Sequence, residues 1–187
     1  MLNILESIHE HQQVIQALEA QIPKIEAIAK QMVASIQQGG TVFWLGNGGS
    51  AADAQHLAAE LVGRFKKERR AIPSLSLSTD TSVLTCLSND YDYSLIFARQ
   101  LEALCRSRDV VIGLSTSGNS PNILKGLAVA KQRGAYTVGL TGMGGDKLMS
   151  QVDAGLAISS YTIARIQEAH ILVGHMLCEW VENAVAH

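Results

Sequence analysis

The stretch "TVFWLGNGGSAADAQHLAAELV" (residues 41–62) decides the fold. Its first part is a short apolar run, typical of a strand that is covered on both faces, and its second part has apolar residues at helical spacing. The glycines between the two parts are typical of a tight turn that leads from a strand into a helix. The stretch therefore predicts a strand–turn–helix unit, and the free N–H groups at the start of such a helix can bind an anion.

The same alternation continues along the chain and predicts an α/β protein. Short apolar runs predict strands at 41–46, 74–78, 109–115, 136–141 and 154–159. Helical periodicity predicts helices at 50–66, 80–104 (with a break near Asn89 and Asp90), 120–133, 145–151 and 162–185. Strands that alternate with helices form parallel sheets with helices on both faces. We expect a three-layer fold around a five-stranded parallel sheet.

The first 38 residues precede this alternation and predict a helical arm. Apolar residues recur at helical spacing on both sides of Pro23, which predicts a break there, and Gly39 and Gly40 predict the end of the second helix. No linker divides this arm (1–38) from the α/β body (39–187). We expect a single domain over 1–187.

The composition excludes several classes of protein. A hydrophobic fraction of 47% with 17% charged residues indicates a packed globular chain, and a net charge of -2 provides no basic surface for nucleic acid. No apolar run reaches the roughly 20 residues of a membrane span, and the first residues do not resemble a signal peptide. Three widely spaced cysteines do not indicate a disulfide framework. We expect a cytoplasmic protein that binds neither nucleic acid nor a membrane.

The glycine-rich turn does not match the two common nucleotide motifs. A dinucleotide turn (GxGxxG) would have its third glycine where Ala51 stands, and the next acidic residue after the second strand is Asp80, which comes too late. A triphosphate loop would need Gly-Lys-Ser/Thr, which is missing here. An ordinary helix start, with Ser50 as the N-cap and Asp53 supporting it, stays open and is compatible with an anion site.

A second unusual turn, "LSTSGNSPNILKG" (residues 114–126), follows the third predicted strand. It carries four hydroxyl side chains within six residues: Ser115, Thr116, Ser117 and Ser120. Ser120 stands where an N-cap is expected, and Pro121 stands at the first helical position. Hydroxyls and free helix N–H groups suit a phosphate monoester, although a serine-rich loop that only solvates itself stays open.

Two pairs of polar residues lie on helices. His56 and Glu60 are four residues apart in the helix after the glycine turn, so they share a face and could bind a metal or act as an acid–base pair. Gln167 and His175 are two turns apart in the last, mostly apolar helix. Taken alone, His56 and Glu60 are also explained as surface or satisfied core residues, and His175 as an ordinary hydrogen-bonded core histidine.

Together, "GNGGSAADAQHLAAELVGRF" and "GLSTSGNSPNILKG" resemble the sugar isomerase (SIS) domain family. The "SND" segment and "RIQEAHILVGH" extend the resemblance over essentially the whole chain, to the phosphoheptose isomerase family within it. The resemblance implies the five-stranded fold and a serine-rich loop that holds the phosphate of a sugar phosphate. It also implies a homotetramer with sites shared between subunits, in which Gln167 and His175 could serve a neighbour's Glu60.

The resemblance also implies individual roles. One zinc ion per subunit would be bound by His56, Glu60, Gln167 and His175, and Glu60 and His175 would be the catalytic acid–base groups. The implied substrate-binding residues are Asn47, Gly48, Gly49, Glu60, Asn89, Asp90, Ser115, Thr116, Ser117, Ser120 and Gln167. Arg64 matches a basic residue near the site, and Ala164 stands where some members carry an acid.

The activity implied is the aldose–ketose isomerisation of sedoheptulose 7-phosphate to D-glycero-D-manno-heptose 7-phosphate through an enediol(ate), as the first step towards lipopolysaccharide core precursors. One alternative is a non-catalytic SIS protein that associates with a replication initiator. We expect such a regulator to have lost Glu60 and His175, which are both present here. A second alternative is an isomerase that acts on a pentose or hexosamine phosphate.

Overall fold

Five parallel strands form one sheet in the computed structural model, which describes residues 4–185. The strand order is β2-β1-β3-β4-β5. The strands are β1 (Val42–Gly46), β2 (Ser74–Ser76), β3 (Val110–Ser115), β4 (Tyr136–Gly142) and β5 (Ala154–Ile158). The five strands and their parallel pairing are confirmed, with β2 shorter than expected. The first three residues of the predicted arm and the last two of the predicted body lie outside the described residues.

The helices follow the predicted alternation. They are α1 (Ile4–Ala17), α2 (Ile22–Gln37), α3 (Gly49–Val62), α4 (Thr81–Asp90), α5 (Ile96–Leu104), α6 (Pro121–Gln132), α7 (Asp146–Met149) and α8 (Ile163–Val185). The predicted break at Asn89 and Asp90 is confirmed, because α4 ends at Asp90 and a short 3-10 turn precedes α5. Asp92 stabilises this turn by accepting the Ser94 N–H at 2.8 Å.

The helical arm consists of α1 and α2, with a 3-10 turn at Leu18–Gln21 between them. The break therefore comes before Pro23, which lies in the first turn of α2. A proline is tolerated there because the first N–H groups of a helix have no partner within it. The arm is attached to α8 by His11 Nδ1 and Glu168 Oε2 at 2.7 Å, and by Arg165, which donates to the carbonyl of Ser7 at 2.8 Å.

Each face of the sheet has its own hydrophobic core, which confirms the three layers. Successive side chains of β1 point to opposite faces, so Trp44 belongs to one core and Leu45 to the other. The Trp44 core is formed with α2, α3 and α8, and the Leu45 core with α5 and α6. The helices that carry the two predicted polar pairs therefore cover the same face.

Helices α3 and α8 approach each other closely at Gly174. A Cβ atom at this position would lie 2.4 Å from Cδ1 of the fully buried Leu57, so any larger residue would displace that side chain or the helices. The next residue in the chain, His175, also lies close to α3, with its Nε2 2.9 Å from His56 Nε2. Among residues 4–185, no helix is both long and apolar enough to cross a bilayer.

Candidate active site

Helices α3 and α8 bring three potential metal ligands together. His56 Nε2 lies 2.9 Å from His175 Nε2 and 3.3 Å from Glu60 Oε1, and one ligand atom from each residue lies within 4.8 Å of the other two. His56 and His175 are 119 residues apart in the sequence. We call these three residues the triad.

The triad forms within one chain. The crossing of α3 and α8 brings His175 close to Glu60 of the same chain, and the sharing of sites between subunits stays a prediction. The homotetramer itself stays a prediction.

The environment of the triad suits a metal. The His56 side chain is 50% exposed and that of Glu60 is 20% exposed, so the cluster opens to solvent on one side. Burial lowers the pKa of His175, His56 lowers it further, and Glu60 opposes both. A lowered pKa favours the neutral imidazole, which is the form that binds metal. Two imidazole nitrogens and one carboxylate oxygen are ligands that zinc binds in proteins.

Gln167 lies two turns before His175 on α8, beside the glycine turn. A Cβ atom on Gly49 would lie 2.6 Å from Gln167 Nε2, so the absence of a side chain at Gly49 makes room for the amide. Gln167 therefore faces the start of α3, whereas the triad surrounds a later part of that helix. Its role as a zinc ligand stays a prediction.

The glycine turn differs from the expected capping. Helix α3 begins at Gly49 with Gly48 as the N-cap, so the expectation that Ser50 is the cap is wrong. Gly48 has φ +55°, a conformation that glycine adopts readily, so the chain reverses at this residue. Ser50 therefore lies inside the first turn of α3, where it is buried. Asp53 does not support a cap either. Burial raises its pKa, with His56 opposing the shift, and Asp53 Oδ2 is buried without a hydrogen-bond partner among residues 4–185.

The serine-rich loop lies at the carboxyl end of β3. Ser115 is buried at the strand end, with its Oγ 3.0 Å from the Oγ of Ser120. Ser120 occupies the N-cap position of α6 and Pro121 its first residue, as predicted, but the Ser120 hydroxyl makes no capping bond. Its hydroxyl is instead directed towards Ser115, within the loop. Thr116 and Ser117 line a cavity of about 300 Å³ together with residues of the β4–α7 and β5–α8 loops.

A hydrogen-bonded group that sequence reasoning missed supports Asn47. Asn47 Nδ2 donates to Asn122 Oδ1 at 2.9 Å, and Asn122 Nδ2 donates back to Asn47 Oδ1 at 2.7 Å. Tyr93 Oη also donates to Asn47 Oδ1 at 3.1 Å. The available signal was a polar residue, Asn122, directly after the serine-rich loop and next to the apolar residues Ile123 and Leu124.

The remaining predicted residues lie on the surface. Asn89 and Asp90 end α4 and are exposed, and Asn89 Nδ2 donates to Asp90 Oδ1 at 2.8 Å. The bond from Asn89, followed by that from Cys86, lowers the pKa of Asp90. Arg64 and Ala164 are exposed. A second missed residue is Phe65, whose ring centroid lies 5.5 Å from that of His175.

Comparison with known proteins agrees with this geometry. The SIS domain family matches residues 7–142. A phosphoheptose isomerase from Roseiflexus sp. (strain RS-1) is 51% identical over 168 residues, which cover 90% of this chain and 85% of that protein. The chain belongs to the phosphoheptose isomerase family of SIS-domain proteins.

Other members of the phosphoheptose isomerase family are similar over nearly the full length. The protein from Geobacter metallireducens is 48% identical over 183 residues, which cover 97% of each chain. The solved structure of the phosphoheptose isomerase from Neisseria gonorrhoeae superposes with a TM-score of 0.86 at 37% identity, over 96% of this chain and 94% of that one. The family membership and the SIS-type fold expected from the sequence are therefore confirmed.

Proposed function

We propose that the protein is an isomerase that interconverts sedoheptulose 7-phosphate and D-glycero-D-manno-heptose 7-phosphate. The observation that carries this proposal is the convergence of His56, Glu60 and His175 in a chain of the phosphoheptose isomerase family. An aldose–ketose isomerisation moves one proton between two neighbouring carbons and shifts the protons of their oxygens. It therefore needs a base near the carbon and an acid near the oxygens.

Glu60 is the proposed base. Its carboxylate takes the proton from the carbon next to the carbonyl and returns it to the neighbouring carbon once the enediol(ate) has formed. The side chain is only 20% exposed and lies in one cluster with both histidines. His175 is the proposed acid, because it contacts the same cluster and can hold a proton at the substrate oxygens.

His56, Glu60 and His175 would hold a zinc ion, and Gln167 is the proposed fourth ligand. When bound, zinc would supply Lewis acidity towards the substrate carbonyl oxygen. A carboxylate that binds a metal tightly is a weak base, so Glu60 must have an oxygen free of the metal when it accepts the proton.

The serine-rich loop is the proposed phosphate site. Its hydroxyls surround the start of α6, a helix of 12 residues whose first N–H groups attract anions. Asn47, Gly48, Gly49, Asn89, Asp90 and Gln167 are the proposed contacts for the sugar. Since the net charge is only -2, local geometry rather than the overall field must hold the phosphate.

The test is an assay with purified protein and sedoheptulose 7-phosphate, in which aldose formation is followed with added zinc and after treatment with a chelator. We expect turnover that the chelator abolishes and zinc restores. No turnover with zinc present would contradict the isomerase. Pentose and hexosamine phosphates serve as competing substrates, and faster turnover of either one would contradict the heptose assignment.

The non-catalytic regulator fits the chain less well. We expected such a protein to lack Glu60 and His175, and both are present and lie in one cluster with His56. The homotetramer, the cytoplasmic location and the place in lipopolysaccharide precursor synthesis stay predictions.

A further inference from the structure

A buried ion pair lies behind the triad, in a part of the chain to which the proposed mechanism assigns no role. Arg69 Nε lies 3.1 Å from Glu182 Oε1, and each side chain is only 1% exposed. Arg69 belongs to the segment that follows α3, and Glu182 belongs to the last turns of α8. The pair therefore joins the same two helices that supply the triad. We call the segment after α3 the 63–70 loop.

Glu182 holds the 63–70 loop through its backbone. Its Oε1 accepts the N–H of Phe65 at 2.9 Å, and its Oε2 accepts the N–H groups of Lys66 at 2.7 Å and Lys67 at 2.9 Å. Burial alone would raise the pKa of Glu182, but these N–H groups and Arg69 outweigh burial and lower it. The Glu182 carboxylate is therefore charged, and both of its oxygens accept hydrogen bonds. If the 63–70 loop moved away from α8, this buried charge would lose its partners, which is energetically costly.

Arg69 holds the carboxyl end of α3. Its guanidinium donates to the carbonyl oxygens of Glu60 at 2.8 Å and Leu61 at 2.9 Å. These carbonyls belong to the last turn of α3 and have no N–H partner within the helix. It also donates to Gly63 and Arg70 in the loop. Since Glu60 is a triad residue, the arginine fixes the backbone from which the proposed base projects.

The loop held in this way also contacts the triad. Phe65, whose N–H is bound by Glu182, places its ring 5.5 Å from the His175 ring at an interplanar angle of 32°. The ring restricts the rotation of the imidazole and covers one side of it. The ion pair thus reaches the triad by two routes, through the Glu60 backbone and through the Phe65 ring.

We propose that Arg69 and Glu182 are positioning residues of the active site, and that the buried pair holds Glu60 and His175 in the relative geometry that binds a metal. The proposal rests on the proposed function for its kinetic consequences, but its geometric content concerns metal binding. Some residues contact the ligands of a metal without contacting the metal itself. Their substitution typically lowers metal affinity or activity by about 10- to 100-fold.

The decisive variant is Arg69→Lys, which keeps a positive charge near Glu182 but loses the planar fork that reaches several carbonyls. We expect the Zn²⁺ affinity of the metal-free protein, measured by competition with a chromogenic chelator, to fall by about 10- to 100-fold. With zinc saturating, kcat should fall by a similar factor, while KM changes little because the serine-rich loop is untouched.

A matched control exists on the same two segments. Lys66 Nζ and Glu179 Oε1 form an ion pair at 2.7 Å whose side chains are 59% and 44% exposed. Glu179→Gln should leave zinc affinity, kcat and melting temperature unchanged, because exposed pairs contribute little. A second variant, Phe65→Leu, keeps the buried pair and removes only the ring on His175, and zinc affinity should again fall.

The outcomes separate a positioning role from a merely structural one. A lower melting temperature with wild-type zinc affinity and kcat in both Arg69→Lys and Phe65→Leu would overturn the proposal. If Arg69→Lys does not fold, Glu182→Gln tests the same buried pair, and wild-type zinc affinity and kcat in that variant overturn the proposal. Failure of the wild-type protein to isomerise the sugar phosphate would overturn the proposed function instead, while the zinc titrations would still test the positioning.

Discussion

The two halves of the candidate site are built in different ways. The serine-rich loop is one contiguous turn between β3 and α6, and its hydroxyls contact each other across five residues, as Ser115 and Ser120 do. The triad joins His56 and His175, which are 119 residues apart, on two helices that cross at a glycine. The loop therefore depends on local backbone geometry, whereas the triad depends on how two long elements pack. Substitutions should separate the two halves.

The largest effect is expected for Glu60→Gln. Removal of a general base costs about 10²- to 10⁴-fold in rate, so kcat should fall by that factor. The amide preserves the shape of the side chain, and the serine-rich loop is distant in sequence, so KM should change far less. Steady-state kinetics with zinc saturating would check this, and activity close to wild type would remove Glu60 from its role.

A smaller but still large effect is expected for Gly174→Ala. The added methyl group would lie 2.4 Å from Cδ1 of the fully buried Leu57, so the Leu57 side chain or the two helices must shift next to His175. A misplacement of about 1 Å can cost about 100-fold in rate, and overpacking a core costs about 1–3 kcal/mol in the free energy of unfolding. Kinetics and chemical denaturation would measure both.

The matched test of that explanation is a second substitution, Leu57→Ala, in the Gly174→Ala chain. It makes room for the methyl group, so part of the lost kcat should return even though the core loses contacts. A double variant that is no more active than Gly174→Ala would show that the crossing distance is not what limits the triad.

Ser120→Ala should have a moderate effect on the other half of the site. It removes one hydroxyl from the proposed phosphate site, and a hydrogen bond to a charged group contributes about 1.5–3 kcal/mol, so KM should rise by about 10-fold or more. Zinc affinity should stay at the wild-type value. A large loss of zinc affinity in this variant would mean that the two halves are not independent.

The smallest effect on activity is expected for His170→Gln. His170 is buried between α8 and β4, with Nε2 3.3 Å from the carbonyl oxygen of Thr141, and burial lowers its pKa from 6.5 to about 4, the bond to Thr141 opposing the shift. The unfolded chain therefore binds a proton as the pH falls below 6.5, whereas the folded chain does not until about pH 4.

The stability of the wild-type protein should accordingly decrease from pH 6.5 towards pH 4 through this residue, by up to about 3 kcal/mol. His170→Gln should remove that part of the pH dependence of stability. It should leave kcat near neutral pH, at about pH 7.5, essentially unchanged. Urea denaturation at several pH values is the measurement. An unchanged slope between wild type and variant would contradict a neutral buried histidine.

The sequence predicts the local half of the molecule well. Strand–turn–helix units, the break after Asp90 and Pro121 at the start of α6 follow from short-range patterns, and the structure has all of them. The prediction of Ser50 as N-cap is wrong because Gly48, with its positive φ, is the N-cap and α3 begins at Gly49. Capping propensities do not reveal such a backbone conformation. Even local prediction fails where a glycine conformation decides the geometry.

Sequence patterns do not predict contacts between residues that are far apart in the chain. The proximity of His56 to His175 was implied by family resemblance, since helical spacing alone left each residue with a surface or core explanation. No pattern indicated that Arg69 would meet Glu182, because their contact depends on where the 63–70 loop folds over α8. The reciprocal amide pair of Asn47 and Asn122 was missed for the same reason.

The position of His175 on α8 also sets an order of events during synthesis. The sheet and the serine-rich loop are complete once residue 158 has emerged, because β5 is the last strand. The triad needs a further helix that emerges afterwards. The residues proposed to bind phosphate are therefore synthesised before His175, and α8 supplies both the last triad residue and part of the Trp44 core.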